Sequence, residues 1–187
     1  MRSVVYSTNI SLDGYISGPD GSFAWTEPDE KVFRFHTEQA AELGAHLLGR
    51  RLYESMLYWE GVDQSPDLPF DSREWSAIWT AIPKVVFSRT LTEVEGKARL
   101  ATGSLADEVE RLRSEPGDGD IGIGGADLAG QATEQGLVDE VRVFVYPVMV
   151  GGGVPFHPQR GHRLDLELVE SRPLGSEVVF HRYRVRR

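Results

Sequence analysis

Apolar and polar positions change period twice along the chain. Val4–Ile10 opens as a short β-branched run, which predicts a strand. A Gly/Pro/Asp-rich loop (SGPDGSFAWTEPD) follows. From 29 to 43 the spacing becomes helical, placing Val32, Phe33, His36, Ala40 and Leu43 on one face. Pro28 ahead of Asp29 and Glu30 fits a helix start, because acids are favoured in the first turn. Ala45–Gly49 predicts a second strand, Arg51–Met56 the start of a helix, Glu74–Ala81 another helix and Lys84–Ser88 a compact buried strand. The acidic, proline-bearing residues 60–73 predict an excursion or lid. Arg99–Thr102 then reads as a short strand, Leu105–Arg113 as an amphipathic helix, Ile121–Gly125 as a strand, and Leu128–Glu134 as a helix closed by Gly136.

From Val141 onward strand follows strand: Val141–Val150, Asp165–Arg172 and Glu177–Val185. The last of these alternates Val179, His181, Tyr183 and Val185 on one face. Strand–helix alternation in front and hairpin material behind predict one α/β domain over residues 1–187. Its sheet is expected to be mixed and largely parallel, ending in antiparallel strands.

Composition narrows the function. The net charge of −9 repels phosphate backbones and anionic membranes, so neither nucleic acid nor a membrane is an expected partner. A small anionic ligand needs only a local pocket of arginine and backbone N–H groups, and stays open. With no cysteine, disulfides, thiolate metal sites and a Cys nucleophile are excluded. The opening MRSVVYSTNISLDGYIS has no signal-peptide core, and the longest uncharged stretch, Val143 to His157, is broken by Pro147 and three glycines. A cytoplasmic protein is expected.

Candidate chemistry lies at the predicted strand ends. Gly49-Arg50-Arg51, Ser88-Arg89-Thr90 and Gly124-Gly125-Ala126-Asp127 each follow a strand, where helix N-termini aim N–H groups at anions. Glycines there admit a pyrophosphate, arginines supply charge, and the Ser and Thr hydroxyls add donors. Each segment alone also reads as a turn or a solvated surface charge. The pattern is not GxGxxG, which disfavours a Rossmann domain proper. Asp29 and Glu30 are either a helix cap or, beside Trp25 and Phe33, carboxylates of raised pKa able to handle protons. Gly151–Gly153 is read as a bend in the sheet and Asp13-Gly14 as a turn. His36, His46, His157, His162 and His181 lack metal-ligand spacing, so no metal is expected, and no GxSxG serine elbow occurs. The four tryptophans and the apolar C-terminal strands offer surface for a homodimer.

The stretches NISLDGYISGPDG (9–21), LLGRRLYESM (47–56), VVFSRTL (85–91), IGGADLAGQA (123–132) and GLVDEVRVFVYPVMVGGGVPF (136–156) resemble the dihydrofolate-reductase-like superfamily. The resemblance is closest to the C-terminal reductase domain of the bifunctional riboflavin deaminase–reductase. It implies a three-layer α/β/α fold whose eight-stranded, mainly parallel sheet carries a C-terminal antiparallel hairpin, and it implies NADPH as cofactor. By position, Gly49, Arg50 and Arg51 would lie at the pyrophosphate and 2′-phosphate side, and Ser88, Arg89 and Thr90 would grip the 2′-phosphate. Gly124, Gly125, Ala126, Asp127 and Leu128 would wrap the pyrophosphate, while Thr8, Asn9 and Ile16 would line nicotinamide and substrate. Asp29, with Glu30 as alternate, falls where the folate enzymes keep their pterin-binding carboxylate. The implied activity is hydride transfer to a pyrimidine- or pterin-like small molecule, resembling 5-amino-6-(5-phosphoribosylamino)uracil reductase. Dihydrofolate reductase activity and a non-catalytic NADPH-binding module are the alternatives. Two departures stand out: Leu52 replaces the Thr or Ser usual in folate enzymes, and Ala126 replaces the third glycine of their GGG. The zinc motif of the deaminase half is absent.

Overall fold

Val4, Val5 and Tyr6 are consecutive and all buried, as in a strand covered on both faces, and the strand they open holds a central place in the sheet. The computed structural model describes residues 2–60, 62, 69–157, 163–175 and 177–187. In chain order its elements are β1 (Val4–Ser11), β2 (Tyr15–Ser17), α1 (Glu30–Ala41), β3 (Leu43–Gly49), α2 (Arg50–Met56), α3 (Phe70–Ala81), β4 (Lys84–Phe87) and β5 (Ala98–Leu100). There follow α4 (Leu105–Ser114), β6 (Asp120–Gly124), α5 (Ala126–Glu134), β7 (Glu140–Tyr146), β8 (Val154–Pro155), β9 (Leu166–Leu174) and β10 (Val178–Val185).

Eight strands pair in the order β5-β4-β3-β6-β1-β7-β10-β9. Pairing is parallel from β5 to β7 and antiparallel from β7 through β10 to β9, which is the expected mixed sheet with its C-terminal hairpin. Leu105, Val109 and Leu112 of α4 join Leu128, Ala129 and Ala132 of α5 in covering Val4, Tyr6, Leu47 and Ile121 on one face. On the other face the cover is split. Val32 and Phe35 of α1 pack with Phe144, Tyr146 and Phe180, while Trp79 of α3 packs with Leu48, Tyr53 and Val86. The gap between these two clusters, over β6 and β1, is where the site lies.

Local sequence explains the helix boundaries. Asp29 caps α1 by accepting the Val32 amide at 2.9 Å. Ser104 and Asp107 form a reciprocal capping box on α4. α5 ends in a pair of bonds, Leu137 N–H to Ala132 and Gly136 N–H to Thr133, typical of a glycine-closed helix.

Four expectations need correction. Leu43 begins β3 rather than closing α1, because the chain turns at Glu42. α3 starts at Phe70, four residues before the expected Glu74, so part of the presumed excursion is helix; residues 61 and 63–68 of it lie outside the described residues, as does His162. β7 ends at Tyr146, not Val150, since Pro147 removes a ladder donor and the chain leaves the sheet. Gly151–Gly153 is accordingly no bend in the main sheet. Gly153, at φ +115°, lets the chain press onto the Ser17 carbonyl, where β2 and β8 form a separate ribbon. The Asp13 carboxylate fastens this loop by accepting the Val150 and Gly151 amides at 3.1 and 2.8 Å.

Candidate active site

Three adjacent strands end together. Gly49 of β3 is in register with Phe87 of β4, and Leu48 with Gly124 of β6, so the segments 49–51, 88–90 and 124–128 meet along one edge. Gly49 and Gly125 are the N-caps of α2 and α5, and neither helix has a side-chain cap. Their first amides are thus open to an acceptor from outside. The two glycines face each other: a Cβ on Gly125 would lie 3.8 Å from the Gly49 backbone and meet nothing closer. Gly125 sits at φ +96°, ψ +122°, a conformation that side-chain-bearing residues rarely adopt. Beside this cradle the Ser88 hydroxyl accepts the Thr90 and Leu91 amides at 3.1 and 2.9 Å, a turn that leaves Arg89 and Thr90 exposed. Arg51 is exposed as well, and Arg50 pairs with Glu54 at 3.3 Å.

The gap between α1 and α3 is a cavity of about 410 Å³. Its floor is β1, β3 and β6, and two glycines of β6 make room in it. A Cβ on Gly122 would strike the His46 ring at 2.7 Å, and one on Gly124 would strike Leu52 at 2.3 Å. Aromatic rings build the walls. Phe33 of α1 lies 6.4 Å from Trp59 and 6.1 Å from Trp75, and Trp75 stacks on Trp79 at 6.3 Å. Trp59 follows α2 on a short 3-10 turn (Leu57–Trp59) whose carbonyl accepts the Ser76 hydroxyl at 2.6 Å. The next residue, Glu60, reaches the buried Lys84 ammonium at 3.0 Å, and that ammonium also donates to the Trp79 and Ile82 carbonyls at 2.6 and 3.0 Å. The wall is therefore tied to β4 and α3 by charge as well as by packing.

His36 and His46 both line the cavity, and loss of hydration lowers each imidazole to about 4, so both are neutral near pH 7. Asn9 Oδ1, His36 Nε2 and Trp75 Nε1, all on lining residues, have no protein partner. At the far end Arg142 is held by Glu140, Gln39 and Glu42, with Asp120 at 3.6 Å.

Of the expected site residues, the structure brings Gly49, Arg50, Arg51, Ser88, Arg89, Thr90 and Gly124 to Leu128 together at the strand ends, with Thr8 and Asn9 on the cavity beside them. Ile16 instead packs at the α4/α5 face with the main core. Asp29 and Glu30 are both exposed and outside the large cavity. Asp29 is the α1 cap and lines a separate hollow with Trp25 and Tyr146, and Glu30 pairs with Arg34 at 3.5 Å. Of the two readings left open for this pair, exposed cap and buried acid, the structure shows the exposed cap, because the Asp29 carboxylate accepts a first-turn amide at the open end of α1. Three of the four tryptophans offered as interface surface line the cavity instead.

The sequence reading missed His36, His46, Gln39, Arg142 and the aromatic wall. The signals for part of it were there. Phe33, His36 and Ala40 follow the helical period, but they form a second face beside Val32 and Phe35, and Trp75 and Trp79 stand one turn apart.

The RibD C-terminal domain family matches residues 2–180. The uncharacterized protein YyaP of Bacillus subtilis (strain 168) is 29% identical over 178 residues, covering 95% of this chain and 92% of its own. A Shewanella sp. PV-4 protein provisionally assigned to riboflavin biosynthesis superposes with a TM-score of 0.79 at 23% identity, covering 99% of both chains. A pyrimidine reductase-like protein from Corynebacterium diphtheriae gives 0.68 at 16% identity, covering 100% of this chain and 92% of that one. These structural likenesses establish the fold.

Proposed function

The chain belongs to the RibD C-terminal domain family, and from that premise we propose an NADPH-dependent reductase acting on a pyrimidine- or pterin-like small molecule. The observation that carries this reading is the strand-end row of segments 49–51, 88–90 and 124–128 opening beside an aromatic-walled cavity. The residues present fit the cofactor. Gly125 keeps the approach to the α5 amides free of any Cβ, and uncapped N–H groups favour a pyrophosphate. Arg89 and Thr90, displayed by the Ser88 turn, suit a 2′-phosphate, which separates NADPH from NADH.

When bound, NADPH supplies the hydride. The protein's part is orientation and exclusion of water. Phe33, Trp59, Trp75 and Trp79 stack on a flat ring, Leu52 and Met56 seal the side toward α2, and Asn9 offers an acceptor. No carboxylate lines the cavity among the described residues, and its two histidines stay neutral, so the proton that follows the hydride comes from water at the mouth.

Calorimetric titration with NADPH and then NADH tests the reading. NADPH is expected to bind at least tenfold tighter, and binding of neither withdraws it. The lack of a lining acid also favours a second reading, a non-catalytic NADPH-binding module. It is distinguished by tight NADPH binding with no oxidation of the cofactor on any pyrimidine or dihydropterin.

A further inference from the structure

The substrate implied by the riboflavin branch carries a ribose phosphate, and a buried phosphate needs a cation or a set of free N–H donors. Among the described residues the cavity supplies no cation free of carboxylate partners and no set of free N–H donors. Of the lining residues described, Arg142 alone bears a formal charge; two of its three guanidinium nitrogens are hydrogen-bonded and the third faces a carboxylate. Nε donates to Glu140, one terminal nitrogen to Gln39 and to Glu42 at 3.1 Å, and the other faces Asp120 at 3.6 Å. Glu140 is shared with Arg182 at 2.8 Å. Three carboxylates around two guanidiniums leave this end of the cavity net negative, which repels a dianion. The exposed Arg51 and Arg89 lie at the strand-end row, on the side assigned above to the cofactor.

What the cavity does offer is flat apolar surface and neutral polar atoms. Phe33, Trp59, Trp75 and Trp79 form the walls, and Asn9 Oδ1, His36 Nε2 and Trp75 Nε1 have no protein partner. A hydrocarbon guest would leave all three unpaired, at a cost in desolvation. A ring edged with amide-type N–H and C=O groups can satisfy them. We infer that this cavity is a site for an uncharged, unphosphorylated planar heterocycle, so that the protein reduces a dephosphorylated or never-phosphorylated ring compound. That the guest is reduced, and that the strand-end arginines belong to the cofactor, both rest on the reductase reading; the preference for an unphosphorylated ring rests on the cavity. The class of reaction that supplies such a substrate is a phosphate-ester hydrolysis or a ring-forming step that uses no phosphorylated sugar.

The test uses the full chain and two probes that differ only in the phosphate, 5-amino-6-(D-ribitylamino)uracil and its 5′-phosphate. Each is titrated calorimetrically with and without saturating NADPH, with tryptophan emission followed in parallel. The unphosphorylated probe is expected to bind at least tenfold tighter and to quench emission, because three tryptophans line the cavity. Equal or tighter binding of the phosphate, or binding of neither probe, overturns the inference. Phe33→Ala is expected to weaken the unphosphorylated probe at least threefold and to leave NADPH affinity unchanged, and unaltered probe affinity counts against the aromatic site. The NADPH arm is read separately. Cofactor binding with a preference for the phosphate defeats this inference and spares the reductase reading, whereas preference for the unphosphorylated probe without NADPH binding withdraws the reductase reading, and the reduction with it, and leaves only the ligand class of the cavity standing.

Discussion

Gly125→Ala separates a ligand cradle from an ordinary turn. Gly125 sits at φ +96°, ψ +122° with nothing within 3.8 Å of where a Cβ would stand. The substitution therefore meets no clash, and its cost is conformational, about 1–3 kcal/mol for a residue held in so sparse a region. In a protein of this length that lowers Tm by roughly 2–10 °C. Any relaxation of the strain rotates the peptide joining residues 125 and 126, which turns the first amide of α5 away from the cradle. Losing one charge-assisted bond to a phosphate costs about 1.5–3 kcal/mol, or roughly ten- to a hundredfold in NADPH affinity. Gly136→Ala is the matched control. It lies just past the other end of α5 at φ +67°, again with open space around it, and costs roughly 1–2 kcal/mol for the same kind of strain. Thermal unfolding and NADPH titration of both variants give the comparison. Similar losses of stability with a loss of NADPH affinity confined to Gly125→Ala are expected. Equal affinities in the two variants would refute the cradle and leave Gly125 a turn.

Other perturbations have equally definite outcomes. Arg89→Ala should weaken NADPH roughly tenfold or more, from the same charge-assisted bond, while NADH affinity barely changes; equal loss for both cofactors removes the 2′-phosphate assignment. Glu108 is fully buried and accepts from Arg99 at 2.6 and 3.1 Å and from the Thr102 amide at 2.9 Å, which holds its carboxyl down to about 2. Glu108→Ala should cost about 1–3 kcal/mol by urea unfolding, chiefly because the Thr102 amide is left without its acceptor, Arg99 being partly hydrated already. A depressed acid contributes stability above its unfolded value near 4.5, lost as pH falls toward 2. His36 and His46 act in a higher window. Each is lowered from 6.5 to about 4, so the unfolded chain takes up protons first and stability falls as pH drops from 6.5 toward 4. Urea midpoints measured across that range should decline, less steeply in His46→Asn, and a flat profile would contradict the burial of both rings. Lys84→Met should cost about 3 kcal/mol and weaken ring ligands, because Glu60 is left unpaired and the Trp59 wall loses its anchor; unchanged ring affinity would show that wall to be independent of the ion pair.

The parts of this molecule legible in the sequence were those with local causes. The β-branched run at Val4, the helical spacing of Leu105–Arg113, Gly136 and the switch from strand–helix alternation to hairpins each act within a few residues, and the mixed sheet with its antiparallel end is expected from them. The strand-end row was legible for the same reason, since Gly49, Ser88 and Gly124 each follow an apolar run that ends in a turn. The cavity was not. His46 enters it because Gly122, on a neighbouring strand, has no Cβ, and Arg142 closes it only because Glu42 and Asp120 converge there from distant segments. α1 was misread as having a single apolar face, when Val32 and Phe35 serve the sheet and Phe33 and His36 the cavity. Asp29 shows the converse limit: one residue type suits both a helix cap and a buried proton donor, and only the surroundings decide.

Hydrogen–deuterium exchange with and without NADPH locates the cofactor on the protein without requiring a substrate. Slowed exchange concentrated at residues 49–52, 88–91 and 124–129 is the predicted result. Protection confined to other segments, or none at saturating NADPH, would contradict the assignment of the strand-end row to the cofactor.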